Sequence, residues 1–464
     1  MNYYKQFKNY TMTQVVDAMV GMLGNSSDEN LIRLTYLAEK MAKKDYYIST
    51  IRMIRGLFEQ GHPSLQVAKK IIRETHPNVR KKLVNAFIIN QALLGTNKRK
   101  AFQDEGGGFY PPGFFVISPS MKCNLNCFGC YAGSYKKTAE LTFGEVDSVL
   151  SQMKEMGVHF CVVSGGEPFF REDLLDIYAK HSDTAFLVFT HGGLLDEKMV
   201  ARVAELGNVL PCISIEGTEE ETDARRGPGH YQKVMKAMDM LKSAGVLFGF
   251  SCTATSRNID AITSPEYIDL MVEKGCTLGW FFSYIPIGRE PKVELMPSPE
   301  QRDRLREFVW NTRNEKPILL ADFWNDGHLV NGCLAGGRRY FHVNANGDVE
   351  PCVFCHFAVD NIRQSTIKQA LMSPLFRSIR EKVKSNPNPL RPCIIIDNPE
   401  VLREVVLESG ARFTHEGAEK VLTDLAPHLD AYSDCYAKFG DSAWKKVQAE
   451  REAKAEMENA GASR

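Results

Sequence analysis

Between residues 114 and 284 the sequence alternates short apolar runs with segments of helical periodicity, and this alternation constrains the fold more than any other feature. Six runs have the length and composition of buried strands, namely 114–118, 159–164, 185–190, 209–215, 246–252 and 278–284. Six strand–helix repeats predict a parallel sheet, open or curled into an incomplete barrel. We therefore expect an α/β fold with a partial (β/α)6 TIM-like barrel, whose ligands lie at the carboxyl ends of the strands.

Helical patterns flank the repeats on both sides. The predicted organisation is a basic all-helical domain at 1–105, the barrel at 113–290, a cysteine-rich extension at 291–398, and C-terminal helices with a charged tail at 399–464. The segment GGGFYPPG at 106–113 predicts a linker. Residues 338–351 predict a hairpin, because Asn346-Gly347 can supply two turn residues with positive φ.

Composition narrows the compartment and the class of partner. The 57 basic and 57 acidic residues cancel, no apolar run is long enough to span a membrane, and the first residues do not resemble a secretory signal. We expect a cytoplasmic protein, free or peripheral to a membrane. The first 100 residues carry 17 Lys or Arg but only 7 Asp or Glu. This basic region suits either an anionic partner, such as a membrane surface, or an acidic neighbouring domain. No specific nucleic-acid motif is present.

The spacing of the cysteines predicts a metal or an iron–sulfur cluster rather than disulfides. Cys123, Cys127 and Cys130 crowd one loop directly after the first predicted strand. Three thiolates within eight residues can ligate three irons of a cubane cluster and leave the fourth iron open. Structural zinc would require a fourth ligand nearby, and the same loop offers none.

Glycines and polar residues follow the other predicted strands. Gly165-Gly166-Glu167-Pro168 comes directly after the second strand, where two glycines allow close approach and Glu167 offers a carboxylate to an ammonium group. Further polar residues at strand ends are Thr190, His191, Ser214, Glu216, Thr253 and Asn258. Capping of the next helix is the alternative role for these side chains.

The three-cysteine loop and the GGEP segment together resemble the radical S-adenosylmethionine (radical SAM) superfamily over about residues 114–395. The resemblance implies a [4Fe–4S] cluster on the three cysteines, with SAM at its open iron and GGEP at the methionine amino group. It further implies contacts from Ser214 and Glu216 to the ribose and carboxylate of SAM. The implied reaction is reductive cleavage of SAM to methionine and a 5′-deoxyadenosyl radical, which abstracts hydrogen from a substrate. Ferredoxin or flavodoxin is the implied electron donor.

Two positions depart from the family pattern. His191 stands in Thr190-His191-Gly192, where family members often have asparagine. Gly129 precedes the third cysteine, where an aromatic residue often contacts the adenine of SAM. Phe128 or Tyr131 could supply that aromatic surface, or the adenine is held in another way.

A second group of cysteines follows the barrel: Cys333, Cys352, Cys355 and Cys393. It resembles the SPASM and twitch extensions of radical SAM enzymes, and YIPIGR at 284–289 resembles their linker. Four cysteines favour one auxiliary [4Fe–4S] cluster, with a structural zinc site as the alternative. Buried structural roles are expected for Cys161, Cys212, Cys252 and Cys276. Cys435 is the one catalytic candidate, as a hydrogen-atom donor or a fourth cluster ligand.

The substrate is the least constrained part of the prediction. The basic helical region and the lack of an evident peptide-binding module favour a non-peptide substrate, such as a lipid or a small molecule. The resemblance to SPASM enzymes implies a peptide-modifying maturase as the alternative. A non-catalytic iron–sulfur or zinc scaffold is a second alternative, which the GGEP segment argues against. Oxygen-sensitive clusters imply an anaerobic host or a protected cytosol.

Overall fold

The computed structural model describes residues 27–41 and 45–462, which fold around one sheet of nine strands. The sheet is ordered β7-β6-β5-β4-β3-β2-β1-β8-β9 and is open at both ends. All neighbours from β7 to β8 pair in parallel, and only β8 and β9 are antiparallel. The strands are β1 Phe115–Ile117, β2 Phe160–Val163, β3 Ala185–Thr190, β4 Val209–Ser214, β5 Gly249–Ala254, β6 Leu278–Ser283, β7 Leu319–Asp322, β8 His342–Val343 and β9 Val349–Glu350.

The predicted α/β class is confirmed, and each of the six predicted apolar runs contains or overlaps a strand. The fifth strand begins at Gly249 rather than at residue 246. β7, which extends the sheet beyond β6, was not predicted. The predicted hairpin supplies β8, but its parallel pairing with β1, with Val116 opposite His342, was not expected.

Helices connect the strands and cover the outer face of the sheet. Within the repeats they are α6 Phe143–Glu155, α7 Leu174–Lys180, α8 Glu197–Leu206, α9 Glu219–Arg226, α10 His230–Ser243, α11 Ile259–Ile262, α12 Pro265–Lys274 and α13 Pro299–Glu315. Thr142 and Glu145 form a capping box at the start of α6, where both reciprocal hydrogen bonds are present. One buried apolar cluster fills the space between these helices and the outward-facing strand residues.

The helices before β1 pack beneath the sheet, at the amino ends of the strands. They are α1 Asp28–Met41, α2 Asp45–Glu59, α3 Ser64–Glu74, α4 Pro77–Leu83, a π-helical stretch Val84–Gly95, and α5 Thr96–Phe102. Val79 and Leu83 belong to the same buried cluster as Val116 and Leu187 of the inner sheet face. Apolar burial therefore closes this end of the sheet.

Several side chains of this basic region donate to backbone carbonyls of the barrel. Lys70 Nζ lies 3.1 Å from the carbonyl oxygen of Val272, and Arg99 Nη1 lies 2.7 Å from that of Gly157. Asn78 donates to the carbonyl of Glu205, just before β4. Part of the basic charge thus serves docking onto the barrel. No described helix combines the length and apolar character needed to cross a membrane.

The C-terminal part wraps the hairpin. Its helices are α14 Gly327–Val330, α15 Ile367–Leu371, α16 Pro374–Ser385, α17 Pro399–Ser409 and α18 Ala426–Ala462, and strands β10 Phe357–Ala358 and β11 Arg412–Phe413 form a separate pair. The hairpin was predicted, but its turn differs from the expectation. Only Gly347 has a positive φ, of 85°, and Asn346 does not. The connection is therefore a five-residue loop over 344–348 rather than a tight two-residue turn.

Candidate active site

A cavity of about 200 Å³ opens at the carboxyl ends of the strands. It is lined by the three loop cysteines, by residues of the GGEP segment, and by aromatic side chains of β3, β6 and the C-terminal region. The sequence-predicted residues that line it are Cys123, Cys127, Cys130, Gly165, Gly166, Glu167, Thr190, His191, Ser214 and Thr253. Residues from five strand ends thus converge on one space, as the parallel sheet predicts.

Backbone and arginine contacts hold the cysteine loop. The amide of Leu125 donates to Cys123 Sγ at 3.4 Å. Arg289, in the YIPIGR segment, donates from Nη1 to the Cys127 carbonyl at 3.3 Å and from its amide to the Cys130 carbonyl at 3.1 Å. These contacts turn the loop carbonyls toward Arg289 and leave the sulfur atoms on the cavity side.

The electrostatic surroundings of the loop combine burial with nearby positive charge. Burial raises the pKa of Cys130, while the positive charges of Arg225 and Arg289 act in the opposite direction. Three thiolates facing one cavity, with cationic neighbours and an amide donor, fit the ligand set of an iron–sulfur cluster with one open iron.

The GGEP glycines are required by the protein backbone. A Cβ at Gly166 would lie 2.1 Å from the carbonyl oxygen of Lys122, and Gly165 has a φ of 110°. The amide of Glu167 donates to the same Lys122 carbonyl at 2.8 Å. The segment therefore packs against the residues that lead into Cys123, so the glycines position the GGEP turn relative to the cysteine loop.

Glu167 is a buried carboxylate that accepts three hydrogen bonds from neighbouring residues. Thr190 Oγ1 donates to its Oε1 at 2.7 Å, the amide of Phe169 to the same atom at 3.1 Å, and the amide of His191 to its Oε2 at 2.9 Å. Burial raises the pKa of Glu167 to about 7, despite these hydrogen bonds. Its protonation therefore changes near neutral pH.

His191 joins the GGEP segment to the cysteine loop. Its Nδ1 accepts the amide hydrogen of Gly193 at 2.9 Å, so Nε2 carries the proton and donates to Asn124 Oδ1 at 2.8 Å. Nε2 also lies 3.4 Å from Glu167 Oε2. Burial lowers the pKa of His191 to about 3, so the ring is neutral.

Three predicted residues do not line the cavity. Pro168 is buried at the start of a short 3-10 turn. Asn258 donates from Nδ2 to the Glu216 and Thr253 carbonyls and accepts from Thr255, so its polar atoms have protein partners. Glu216 is fully buried behind two arginines.

Arg225 and Arg226 were not singled out from the sequence. Arg225 Nη1 lies 2.8 Å from Glu216 Oε1, and Arg226 binds the same oxygen. Burial alone would raise the pKa of Glu216, but the two guanidinium groups hold it below its usual value. Two cations against one anion leave one net positive charge at the cavity, which both arginines line. The signal in the sequence is the Arg-Arg pair that ends α9 after SIEG.

Tyr284 fills the space beside Gly129. A Cβ at Gly129, whose φ is 60°, would lie 2.5 Å from Cε2 of Tyr284. Tyr284 is 3% exposed and lines the cavity, whereas Phe128 does not. The glycine in the cysteine loop is thus matched by an aromatic ring from the end of β6.

The second cysteine group surrounds a second cavity, of about 330 Å³. Cys333, Cys352 and Cys393 line it, whereas Cys355 lines a smaller neighbouring cavity. The amides of Ala335, Phe354 and Ile395 each donate to the cysteine two residues earlier, at 3.4 Å in all three cases. This is the same local geometry as at Cys123, and it fits sulfur atoms that ligate a cluster.

The surroundings of the second group are more apolar and more acidic than those of the first. Burial raises the pKa of Cys352 to about 12. Burial and the nearby carboxylate of Asp397 raise the pKa of Cys393. The Cys393 amide also donates to Asp397 Oδ2 at 3.0 Å.

The remaining cysteines lie away from both cavities. Cys161, Cys212, Cys252 and Cys276 are buried, as predicted for structural cysteines. Cys435 is exposed on α18 and lines neither cavity. The structure therefore does not bring the single catalytic candidate to the predicted site.

Comparison with known protein families agrees with this arrangement. Residues 117–257 match the radical SAM superfamily, and residues 333–394 match SPASM, an iron–sulfur cluster-binding domain. Both matches fall within the predicted barrel and cysteine-rich regions. The description of the second match supports an auxiliary iron–sulfur cluster over the zinc alternative.

Two relatives align with this chain over most of their own length. An AdoMet-dependent heme synthase of Methanosarcina barkeri is 26% identical over 290 residues, which are 56% of this chain and 82% of the relative. The mycofactocin maturase MftC of Mycolicibacterium smegmatis is 29% identical over 279 residues, 56% of this chain and 70% of the relative. SuiB of Streptococcus suis, bound to S-adenosylmethionine, aligns with a TM-score of 0.54 at 18% identity over 71% of this chain and 87% of SuiB. That likeness is one of fold.

Proposed function

We propose that this chain is a radical SAM enzyme with a SPASM domain and that it abstracts a hydrogen atom from an apolar group of its substrate. The observation that carries the proposal is one cavity lined both by the three loop cysteines and by a wall of aromatic side chains. The wall residues are Phe189, Trp280, Phe282, Phe323, Tyr340 and Phe354. An apolar enclosure of this kind excludes water from a reactive intermediate.

The cofactors of this family have clear candidate ligands in the chain. Cys123, Cys127 and Cys130 would hold the first [4Fe–4S] cluster, and the second cysteine group would hold the auxiliary cluster. When bound and reduced, the first cluster supplies the electron that cleaves SAM, which yields the radical that removes hydrogen from the substrate. The protein contributes binding, orientation and exclusion of water.

Two sets of side chains would orient the methionine part of SAM. Glu167 would accept the ammonium group, since its carboxylate is buried at the cavity. The net positive charge of Arg225 and Arg226 over Glu216 suits the methionine carboxylate. Glu216 would then act indirectly, by fixing the two arginines.

Tyr284 would supply the aromatic surface for the adenine. Its ring occupies the position beside Gly129 that the family usually fills from the cysteine loop itself. A base stacked on an aromatic side chain gains about 1–3 kcal/mol. The Phe128 ring instead lies about 6 Å from the guanidinium groups of Arg225 and Arg257.

Formation of 5′-deoxyadenosine tests the reaction. The protein is reconstituted with iron and sulfide under anaerobic conditions and given SAM and a strong reductant. We expect 5′-deoxyadenosine from the wild type and from Cys435→Ala, but none from Cys130→Ala. Equal yields from Cys130→Ala and wild type would contradict the proposal.

Two substrate classes fit the aromatic cavity. A non-peptide molecule with a flat apolar part is favoured by the likeness to the heme synthase, and a peptide side chain by the likeness to the maturase MftC. We place the non-peptide class first, since the aromatic side chains that line the cavity offer flat apolar surfaces to a molecule of that shape. To separate the classes, an extract of host cells is added to the assay and its stimulation of 5′-deoxyadenosine formation is measured before and after protease treatment. Stimulation that survives exhaustive protease treatment indicates a non-peptide substrate, and stimulation that is lost indicates a peptide.

A further inference from the structure

The two cavities share a wall. Trp280, Phe323, Tyr340 and Phe354 line both the cavity at the first cysteine loop and the cavity at the second cysteine group. A single layer of aromatic side chains therefore separates the proposed SAM and substrate space from the cysteines of the auxiliary site. Any residue of this layer that also contacts an auxiliary sulfur connects the two sites directly.

Tyr340 is such a residue. Its hydroxyl oxygen lies 2.7 Å from Cys352 Sγ, and the side chain is 1% exposed. Its ring stacks on Phe114, with centroids 5.2 Å apart and planes within 1° of parallel, and meets Phe323 edge-on at 6.0 Å. Phe114 also lines the first cavity. Packing on the cavity side thus fixes the direction in which the hydroxyl points.

The chemistry of the two groups sets the direction of the hydrogen bond. A cysteine that ligates iron is a thiolate, which accepts hydrogen bonds and has none to donate. The phenol of Tyr340 is then the only one of the two groups that has a proton to share. Tyr340 therefore donates to the sulfur. The Phe354 amide donates to the same atom at the longer distance of 3.4 Å.

We propose that Tyr340 raises the reduction potential of the auxiliary cluster through its hydrogen bond to Cys352. The inference rests on the proposed function, since it requires a cluster on Cys352. A hydrogen bond to a ligand sulfur stabilises the more negatively charged, reduced cluster and so raises its potential. The same ring forms part of the wall of the first cavity. Tyr340 is therefore a positioning residue: packing against its ring from the first cavity orients the hydrogen bond that sets the potential of the auxiliary cluster.

Redox titration of Tyr340→Phe tests the proposal. The substitution keeps the ring and its stacking on Phe114 but removes the donor. Wild type and variant are reconstituted anaerobically, and the reduced fraction of each cluster is followed by electron paramagnetic resonance at poised potentials. We expect the ratio of reduced to oxidised auxiliary cluster, at one fixed potential, to fall by up to about tenfold, because the hydrogen bond is present in both states and only its extra strength in the reduced state shifts the ratio. The first cluster should titrate as in wild type.

Trp280→Leu is the matched control. Trp280 lines both cavities, but its ring packs on Phe189 and Phe282 and not on Tyr340, so the auxiliary potential should stay at the wild-type value. An equal fall in Trp280→Leu would overturn the proposal, because packing or solvent access would then set the potential. A wild-type auxiliary potential in Tyr340→Phe would overturn it as well.

A second substitution reverses the expected sign. Difluorotyrosine at position 340 is a stronger donor than tyrosine, and we expect it to raise the auxiliary potential above wild type; a fall would overturn the proposal. Failure of the proposed function is distinguishable, because a wild-type protein that assembles only the first cluster lacks the second signal altogether. That outcome would overturn this proposal through its premise of an auxiliary cluster, whereas the proposed function would be overturned only if wild-type protein with the first cluster formed no 5′-deoxyadenosine.

Discussion

The two cysteine groups use the same ligand chemistry beside cavities of opposite charge. Arg225 and Arg226 line the first cavity together with Glu167, whereas the charged residues that line the second are Asp322, Asp326 and Arg313. An arginine on the loop backbone is common to both groups, since Arg289 donates to the Cys127 carbonyl and Arg338 to the Cys333 carbonyl. Both share the amide-to-sulfur geometry of a ligating turn. The difference teaches that local backbone prepares the sulfurs, while the neighbouring charges distinguish the sites.

Removal of cysteine ligands should give the largest difference in SAM cleavage between the two groups. Cys127→Ala should abolish 5′-deoxyadenosine formation, because the first cluster loses one of three ligands. Cys333→Ala combined with Cys352→Ala should lower the iron content by the auxiliary cluster and leave SAM cleavage in place. Iron analysis and product quantification check both. Loss of zinc with unchanged iron in the double variant would contradict the auxiliary cluster.

Removal of the charge of Glu167 should have the next largest effect, which is on the affinity for SAM. Glu167→Gln should weaken SAM binding by roughly 10- to 100-fold near pH 8, since a hydrogen bond between charged groups is worth about 1.5–3 kcal/mol. The raised pKa of about 7 means that wild-type Glu167 becomes protonated as the pH falls through 7. Wild-type affinity for SAM should therefore decrease on the acid side of pH 7.

Equilibrium dialysis across this pH range checks the prediction. The Gln variant should lack the acid limb, because it has no carboxylate to protonate. Both proteins should lose affinity above about pH 8, where the α-amino group of SAM loses its proton. An acid limb of equal size in the variant would mean that another group controls binding.

Substitution of Tyr284 should have a smaller effect on SAM. Tyr284→Leu should weaken binding roughly tenfold through loss of base stacking, while Tyr284→Phe should bind like wild type. Phe128→Leu is the matched control on the other side of Gly129 and should change affinity little. A larger loss in Phe128→Leu than in Tyr284→Leu would assign the adenine surface to Phe128.

The smallest expected effect is at His191. His191→Asn introduces the residue that the family often has and keeps a side chain that can hydrogen-bond with Asn124. We expect SAM affinity to change only a few-fold, since one neutral hydrogen bond is worth about 0.5–1.5 kcal/mol. His191→Ala should lose more, because Asn124 would then be left without its partner.

Much of the fold followed from the pattern of apolar runs, because six strands have enough apolar residues to show a pattern. β7 escaped prediction although it is as long as β2. β8 belongs to the predicted hairpin, but its parallel pairing with β1 is a contact between distant segments that local sequence does not reveal. The turn at Asn346-Gly347 was predicted as the tighter type because the dipeptide suits it. The amides of Asn346 and Asp348 instead donate hydrogen bonds to Asn344 Oδ1 and organise a longer loop.

The candidate site likewise combines residues that a sequence motif revealed with residues that only the structure revealed. Cysteine spacing and GGEP revealed the residues that have a motif of their own. Arg225, Arg226, Tyr284 and Tyr340 reach the site only through tertiary packing. Glu216 illustrates the limit most clearly: its position after a strand suggested a direct ligand contact, but two arginines separate it from the cavity. Pairing between distant charges is not encoded in local sequence.

The attachment of β8 to β1 has a consequence for how the protein is made. β1 leads into the first cysteine loop, yet one of its sheet neighbours is the hairpin of the second cysteine group, and Ser118 bonds His342 across 224 residues of sequence. Contacts of such separation form late in folding. A ribosome must therefore have released the chain well beyond residue 350 before the edge of the first site is complete. Both sets of sulfurs should become ready for iron at the same stage of biogenesis.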